Sequence, residues 1–255
     1  MTIRMGNAQL HSLPFEVKLA YRSDEIEQAL RLRYQVFVEE QRNLRLMNDS
    51  GLEQDRYDEF CDHLIVKDLN SQAVVGTYRL LPGPRVLQHC GFYSETEFDL
   101  SRYEDYKWNT LELGRSCVAA EYRNGRVIQL LWEGIADYIK QKGYRYLIGC
   151  ASLHMGTIKE LNELYTMLAV NHVITDRFGI TPLETHRIPG LQLVNMELSE
   201  KELFRRLPPL MKGYKWLGAE IGGEPAYDEI FDTADFFIIL EAEKITNSYK
   251  KKFLR

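Results

Sequence analysis

The chain has few cysteines and histidines, and none of them stands in a metal-binding pattern. The four cysteines are spread singly, without a C-x-x-C pair, and the six histidines form no H-E-x-x-H motif. Zinc sites and disulfide frameworks need such residues at short, regular spacings. We therefore predict reduced thiols and no metal site.

Long apolar runs and an excess of basic residues are also lacking. The longest apolar runs, such as FFIIL at 236–240, have the length of a strand and not of a membrane span. The formal net charge of −5, with no dominant basic face, argues against a nucleic-acid partner. The first residues show no signal-peptide pattern, so we expect a cytoplasmic protein. The basic stretch YKKKF at 249–253 indicates at most a weak peripheral contact with the inner membrane.

Strand and helix patterns alternate along the chain. Alternating or continuous apolar residues predict strands at 14–22, 63–69, 73–81, 110–119, 144–153 and 235–242. Apolar residues at helical spacing predict helices after an N-cap at Ser23, from about 124 to a stop at Gly143, at about 156–170, after a cap at Ser199 and near 208–218. We found no repeat or linker. This order predicts one α/β domain around a central sheet.

The strand that begins with LELGRSC, at 111–117, carries an acid and a base three residues apart. On a regular strand Glu112 and Arg115 would point to opposite faces. A bulge at Gly114 would bring both to one side, as bulges near active sites do. Two interpretations remain open, because the same two residues would also suit an ordinary ion pair at a strand end.

The helix that follows begins near RNGR at 123–126. Free N–H groups and the positive end of the helix dipole favour a phosphate there. We therefore predict a phosphate-binding segment, which consists of Arg123, Asn124, Gly125 and Arg126. Solvated turn residues are the alternative interpretation.

The loop at 42–61 is acidic and long enough to suggest a function. Its acids, together with Asp62, would most simply form a solvated face. Arg79, however, lies inside an apolar strand, and a buried arginine needs an acidic partner. The loop acids are candidates for that partner, either in a structural pair or in a polar pocket.

An ordered series of motifs resembles the ornithine lipid synthase N-acyltransferases. The series comprises RYQVFVEE, YDEFCDHLIV, VVGTYRLL, FYSETEFDL, ELGRSCV, LLWEGIADY, GCASL and the stretch from LPPLMKGYKWLGAEIGG to TADFFIIL. That family, also labelled haemolysin-like, belongs to the GCN5-related N-acyltransferase superfamily. The likeness covers about residues 15–255. A more distant similarity links the chain to acyl-homoserine lactone synthases through Arg33 with Phe37, Asp58 and Asp62, Arg79, and Glu112 with Arg115.

The resemblance implies a fold and a reaction. The fold would be a single domain over 1–255 with a central mixed twisted sheet flanked by helices, in which the part after about 171 completes the sheet and an acyl pocket. A fatty acyl group, often 3-hydroxylated, would pass from acyl carrier protein to the α-amine of an amino acid, commonly ornithine. Glycine, lysine and tyrosine are alternative acceptors, and an acyl-homoserine lactone synthase-like activity is another alternative. A membrane-active haemolysin-like protein is the non-enzymatic alternative.

The donor follows from a departure from the superfamily pattern. Members that use acetyl-CoA usually carry Q/R-x-x-G-x-G/A, whereas RNGRVI at 123–128 has one glycine and bulky neighbours. A pyrophosphate cradle is therefore compromised, while the single phosphate of a phosphopantetheine arm still fits. We expect an acyl carrier protein donor in preference to a CoA thioester, and no permanently bound cofactor. Acidic carrier proteins would dock on basic residues.

The residues then receive hypothetical roles. Glu112 would take a proton from the substrate ammonium, directly or through water, because only a neutral amine attacks the thioester. Backbone N–H groups at the bulge, and Arg115, would stabilise the oxyanion. Arg33 or Arg79 would bind the substrate carboxylate, and Asp58 and Asp62 its ammonium groups. A covalent route through Cys117 is less favoured, because no histidine base lies near it in the sequence.

Overall fold

The computed structural model describes residues 14–87, 89–154 and 156–244. The strands are β1 (Phe15–Leu19), β2 (Asp62–Asp68), β3 (Val74–Pro82), β4 (Phe98–Asp99), β5 (Thr110–Val118), β6 (Tyr146–His154), β7 (Ile174–Thr175), β8 (Thr181–Pro182), β9 (Glu220–Gly222), β10 (Ala226–Asp228) and β11 (Thr233–Glu241). The main sheet has the order β1-β2-β3-β5-β6-β11-β9-β7, and β10 pairs with β11. After residue 171, β7, β9, β10 and β11 thus extend the same sheet as the N-terminal strands, whereas β8 pairs with β4 in a separate two-stranded sheet.

Helices cover both faces of the sheet. They are α1 (Ser23–Tyr34), α2 (Gly83–Val86), α3 (Glu104–Lys107), α4 (Arg126–Lys142), α5 (Ile158–Val170), α6 (Glu200–Arg206) and α7 (Pro209–Leu217). Helix α1 continues as a π-helical turn over Gln35–Glu40. Helices α4 to α7 share one apolar cluster with the sheet, whereas α1 packs in a separate cluster on the other face. Alternating side chains of β2 separate the two faces, since Leu64 joins the first cluster and Ile65 the second.

The helix boundaries follow local chemistry. Helix α4 starts after Gly125 and ends before Gly143, and both glycines have positive φ. Ser199 caps α6 as predicted, in a reciprocal box with Glu202. The predicted cap at Ser23 is wrong, because Ser23 is already the first helical residue and Arg22 occupies the cap position without a side-chain hydrogen bond.

Strand β5 has a bulge and then leaves its neighbour. Arg79 of β3 opposes Gly114, while Thr77 opposes Cys117, so β5 has an extra residue between these pairs. The positive φ belongs to Arg115, at 50°, and not to Gly114. Parallel pairing of β5 with β6 stops at Glu112, although both strands continue. The two strands therefore diverge and leave backbone groups of β5 available beyond that point.

Among the described residues, none of the helices has the length and apolar character needed to cross a bilayer. The basic stretch at 249–253 lies outside the described residues, so the contact predicted for it stays a prediction.

Candidate active site

A cavity of about 400 Å³ opens where β5 and β6 diverge. At the floor of the cavity, Gly149 of β6 permits the two strands to approach each other closely, because a Cβ at position 149 would lie 2.3 Å from the Leu113 carbonyl oxygen. The cavity is polar at one end and apolar at the other. Its charged lining residues are Arg79, Glu112, Arg115, Asp228 and Asp235.

Glu112 presents a buried carboxylate to this cavity. It accepts hydrogen bonds from the backbone N–H groups of Tyr93, at 2.7 Å, and Ser94, at 2.9 Å, and from the Ser94 hydroxyl. Burial raises the pKa of Glu112 above its ordinary value, while the bonds from Ser94 and Tyr93 limit the rise. A fixed carboxylate with a raised pKa is suited to accept a proton near neutral pH.

Arg115 reaches the cavity through the bulge. Its guanidinium lies between two aromatic rings, 4.6 Å from the centroid of Tyr93 and 4.8 Å from that of Phe231. It also donates to Glu53 at 3.1 Å and to Asp55 at 3.2 Å. Glu112 and Arg115 thus have different partners, and the simple ion pair between them is not what the structure shows. These contacts hold a non-glycine residue at positive φ, a conformation that otherwise costs free energy.

Three arginines and three acids form an ion-pair network that fixes the acidic loop beside the bulge. Arg33 binds Glu53 and, at 2.7 Å, Asp58, and Arg79 binds Asp55 at 2.7 Å. The expected pairing of Arg79 with loop acids is confirmed. The members of the network are Arg33, Arg79, Arg115, Glu53, Asp55 and Asp58.

Three of the residues predicted to contact the substrate already have partners within the protein. Arg33 is 1% exposed and its guanidinium is already shared by two carboxylates. Asp58, its partner, is buried as well. Asp62 binds Arg85 at 3.0 Å and accepts from the Tyr138 hydroxyl at 2.6 Å. All three have partners within the protein and are not among the residues that line the two cavities described here, so substrate binding by them stays a prediction.

The polar end of the cavity contains acids that the sequence reasoning missed. Asp235 accepts from the hydroxyls of Thr233, at 2.6 Å, and Ser152, at 2.9 Å. Asp228 accepts from backbone N–H groups of the following turn. Glu97 lies behind Asp235 and is 2% exposed.

Among the described residues, no lysine or arginine forms an ion pair with Glu97, Asp228 or Asp235, because the nearby arginines are bound to the acidic loop. Burial raises the pKa of Glu97 and Asp235, and the neighbouring carboxylates add to the rise. This end of the cavity would therefore favour a cationic group of a substrate.

A chain of contacts joins the acids to Glu112. Ser94 Oγ lies 3.6 Å from Cys150 Sγ, and that sulfur lies 3.9 Å from a Glu97 oxygen. Glu97, Cys150 and Asp235 also offer atoms within 4.8 Å of one another, a spacing that would fit a metal ion. Our prediction of no metal site stays a prediction.

The other end of the cavity is apolar. Helix α4 contributes Ile128 and Trp132, helix α7 contributes Leu210 and Tyr214, and Leu147, Ile238 and Leu240 come from the sheet. Such a lining would favour a hydrocarbon chain over a charged group.

A second cavity, of about 520 Å³, adjoins the first at the start of α4. It includes Arg123 and Gly125 of the predicted phosphate segment and shares Ser116 and Ile128 with the first cavity. Arg123 binds Glu40 at 2.6 Å and the Val118 carbonyl at 2.9 Å. The two cavities thus form a path from the helix start to Glu112.

The remaining two residues of the phosphate segment are not among the residues that line the second cavity. Asn124 accepts from the Arg126 N–H at 3.0 Å, and Arg126 lies 3.6 Å from Glu133. The buried Nε of Arg126 has no hydrogen-bond partner. No ligand contact follows from these positions alone, so phosphate binding stays a prediction.

The surroundings of the cysteines do not favour a cysteine nucleophile. Cys117 is buried, and burial raises its pKa to about 12. Cys150 lines the main cavity, but burial raises its pKa well above the ordinary value. Because the thiolate is the nucleophile, neither group is activated.

Part of the acidic end had a signal in the sequence. Asp235 stands at the start of an otherwise apolar strand, TADFFIIL at 233–240, and a charged residue in such a strand is seldom buried without a reason. Asp228 ends the short strand β10 and Glu97 lies in the turn before β4, and neither had a comparable signal.

Comparison with known proteins gives the family. Residues 32–133 match the model described as "Acetyltransferase (GNAT) domain". The chain is 39% identical to the L-ornithine N(alpha)-acyltransferase of Brucella abortus, over 92% of this chain and 86% of that protein. It is 36% identical to the enzyme of the same name from Rhizobium meliloti, over 92% and 82%.

A solved structure agrees on the fold. The CoA-dependent acyl-homoserine lactone synthase BjaI superposes with a TM-score of 0.52 at 16% identity, covering 89% of this chain and 82% of that one. The expected fold class and the expected resemblance are both confirmed. The chain is an acyltransferase that belongs to the L-ornithine Nα-acyltransferase family.

Proposed function

We propose that the protein transfers a fatty acyl group, often 3-hydroxylated, from acyl carrier protein to the α-amine of L-ornithine and so makes an aminolipid precursor. The observation that carries this proposal is a single cavity with a fixed carboxylate, Glu112, between an apolar end and an acidic end whose carboxyl groups form no ion pair with a described lysine or arginine. The apolar end suits the acyl chain, and the acidic end suits a second ammonium group of the acceptor.

In this scheme Glu112 acts as the base. It accepts a proton from the α-ammonium, directly or through water, and the neutral amine attacks the thioester carbonyl. The C–N bond forms, the C–S bond of the tetrahedral intermediate breaks, and the second proton lost by the amine nitrogen passes to the departing sulfur, so that phosphopantetheine leaves as a thiol. Arg79 and Arg115 are the guanidinium groups among the described cavity-lining residues, so the substrate carboxylate would bind beside them.

The donor arm would enter through the second cavity. Backbone groups of β5 beyond Glu112 are free of β6 and would bond the pantetheine amides or the oxyanion. Arg123 and Gly125 would lie at the phosphate, and basic residues nearby would face the acidic carrier protein. We also propose peripheral contact with the membrane, where the lipid product is needed.

The test is transfer by the purified protein. It is incubated with ornithine and either 3-hydroxyacyl carrier protein or the matching CoA thioester, and N-acylornithine is detected by mass spectrometry. Faster transfer from the carrier protein supports the proposed donor, whereas transfer from CoA alone would replace it. No product with ornithine, but product with another amino acid, would change the acceptor.

Glu112→Gln tests the base. The variant should lose roughly 10²–10⁴ in turnover, the usual range for a positioned general base. Because burial raises the Glu112 pKa, wild-type kcat/KM should rise with pH as that carboxyl ionises. Glu121→Gln, on an exposed turn after β5, is the matched control and should keep full activity. Near-normal turnover of Glu112→Gln would remove Glu112 from this role.

A further inference from the structure

The outward face of α7 is apolar. Its exposed positions are Pro209, Leu210, Gly213 and Trp216, and none of them is charged. Leu210 is 43% exposed and Trp216 is 48% exposed. The opposite side of the helix places Met211 in the core. An amphipathic surface helix normally directs its polar residues to solvent, so α7 has a second apolar face.

Basic residues flank this face. Residues 203–217, LFRRLPPLMKGYKWL, contain four basic residues and no acidic one, in a chain whose net charge is −5. Arg205 and Arg206 are exposed at the end of α6, and Lys212 and Lys215 lie partly exposed on α7. An apolar helix face bordered by lysine and arginine is the pattern of a helix that lies in the interface of an anionic bilayer.

The same helix borders the cavity. Leu210 and Tyr214 line its apolar end, and Leu210 is also exposed to solvent. We propose that the outward face of α7, with the flanking basic residues, binds the surface of an anionic membrane and releases the acylated product into it. The release step rests on the proposed function, whereas the binding surface rests on the helix itself.

The bilayer fits this face better than an acyl carrier protein does. A carrier protein must place its phosphate at the donor entrance, which we assign to the second cavity beside Arg123 and Gly125. The outward face of α7 contains no charge of its own to meet the acidic helices of such a partner. Its Trp216 is instead the residue type that settles at a membrane interface.

Gly213 allows a test by charge reversal at one position. A Cβ added there has no neighbour within 4 Å, so both Gly213→Glu and Gly213→Lys fit. The two side chains have similar helix propensity and differ in the sign of their charge. Binding is measured by co-sedimentation with vesicles of equal parts phosphatidylcholine and phosphatidylglycerol. The partition coefficient should fall about fivefold for Gly213→Glu and rise about fivefold for Gly213→Lys, with little change on pure phosphatidylcholine.

A tryptophan pair tests the apolar part. Trp216→Ser should weaken binding to the same vesicles on the order of tenfold. Trp108→Ser is the matched control, because Trp108 is 56% exposed at the end of α3, and it should bind like wild type. Transfer from a short-chain acyl donor without vesicles is measured in parallel and should be equal for both variants.

Several results would overturn the proposal. Equal vesicle binding by the Gly213→Glu and Gly213→Lys variants would do so. If the α7 variants changed the KM for acyl carrier protein and left vesicle binding unchanged, the outward face of α7 would be assigned to the carrier protein. If the wild type formed a concentration-dependent dimer that the α7 variants lost, the outward face of α7 would be assigned to a second copy of the chain. Absence of transfer in the wild type would reject the proposed function, and the vesicle result would still decide the binding surface.

Discussion

Asp235→Asn gives a direct test of how the acceptor is recognised. The change removes one negative charge from the acidic end of the cavity and keeps the shape of the side chain. The hydroxyls of Thr233 and Ser152 donate to different oxygens of Asp235. In asparagine the amide oxygen can accept from one hydroxyl, and the amide NH2 can donate to the other. Only the affinity for a cationic group should therefore change. If that group is the terminal ammonium of ornithine, the variant should discriminate less well between ornithine and norvaline, which lacks this amine.

The size of the effect follows from the burial of the site. Asp235 is 2% exposed, so its bond to an ammonium group would be little screened by solvent. Hydrogen bonds to charged groups contribute about 1.5–3 kcal/mol. At about 1.4 kcal/mol per tenfold change, kcat/KM for ornithine should fall roughly 10- to 150-fold. The value for norvaline should change little, because no charge faces Asp235 in that complex.

Asp235→Asn should not lower the stability of the folded protein. Burial and the neighbouring carboxylates raise the pKa of Asp235. The stability that this carboxyl group contributes is therefore fully present below its ordinary pKa of about 3.9 and is lost as pH rises through the raised pKa. Asparagine does not ionise, so the variant does not lose this stability as pH rises. At neutral pH the thermal midpoint of the variant should equal or exceed that of the wild type, which separates weaker binding from unfolding.

The assay compares kcat/KM for ornithine and norvaline at saturating acyl donor. Asp232→Asn is the matched control, since Asp232 is exposed and has positive φ, which asparagine tolerates. The control should leave both values unchanged. Equal losses on ornithine and norvaline in Asp235→Asn would refute the reasoning, because Asp235 would then act on the reacting amine and not on the side chain.

Two further predictions concern the ion-pair network. Arg33→Met should lower the free energy of unfolding by about 3–5 kcal/mol, since it removes the guanidinium that Glu53 and Asp58 share and leaves an excess of buried negative charge. Arg31→Met, on the exposed side of α1, should lower it by less than about 0.5 kcal/mol in the same urea titration. Burial alone would raise the pKa of Asp58, but Arg33 and Arg79 lower it to about 2. Its contribution of about 2 kcal/mol should therefore be present above about pH 4 and be lost as pH falls to about 2, a slope that Asp58→Asn should lack. A wild-type unfolding energy that is flat over that range would contradict this assignment.

Local patterns predicted the elements well, because local forces decide them. The apolar spacing of α4 and the left-handed glycines at its two ends are properties of short segments, and the structure has them where the sequence indicated. The bulge was predicted one residue early. A glycine is the usual residue for such a conformation, yet Arg115 adopts it because distant loop acids and two aromatic rings hold its guanidinium. No local pattern records such a constraint.

The division of charge in the site was harder to predict, because it depends on which side chains meet across the fold. Asp58 and Asp62 were expected at the substrate, and loop acids were also offered as partners of Arg79. In the structure Glu53, Asp55 and Asp58 pair with the arginines, and the cavity acids Asp228 and Asp235 come from the C-terminal part of the chain. These two facts depend on each other. If Arg115 were free of the loop acids, its charge would offset more of the charge of Asp235, whose pKa it already lowers, and less would remain for a substrate. The buried network therefore acts on specificity at a distance: a variant that frees Arg115 from the loop should weaken the preference for ornithine over norvaline, even though no loop acid lines the cavity.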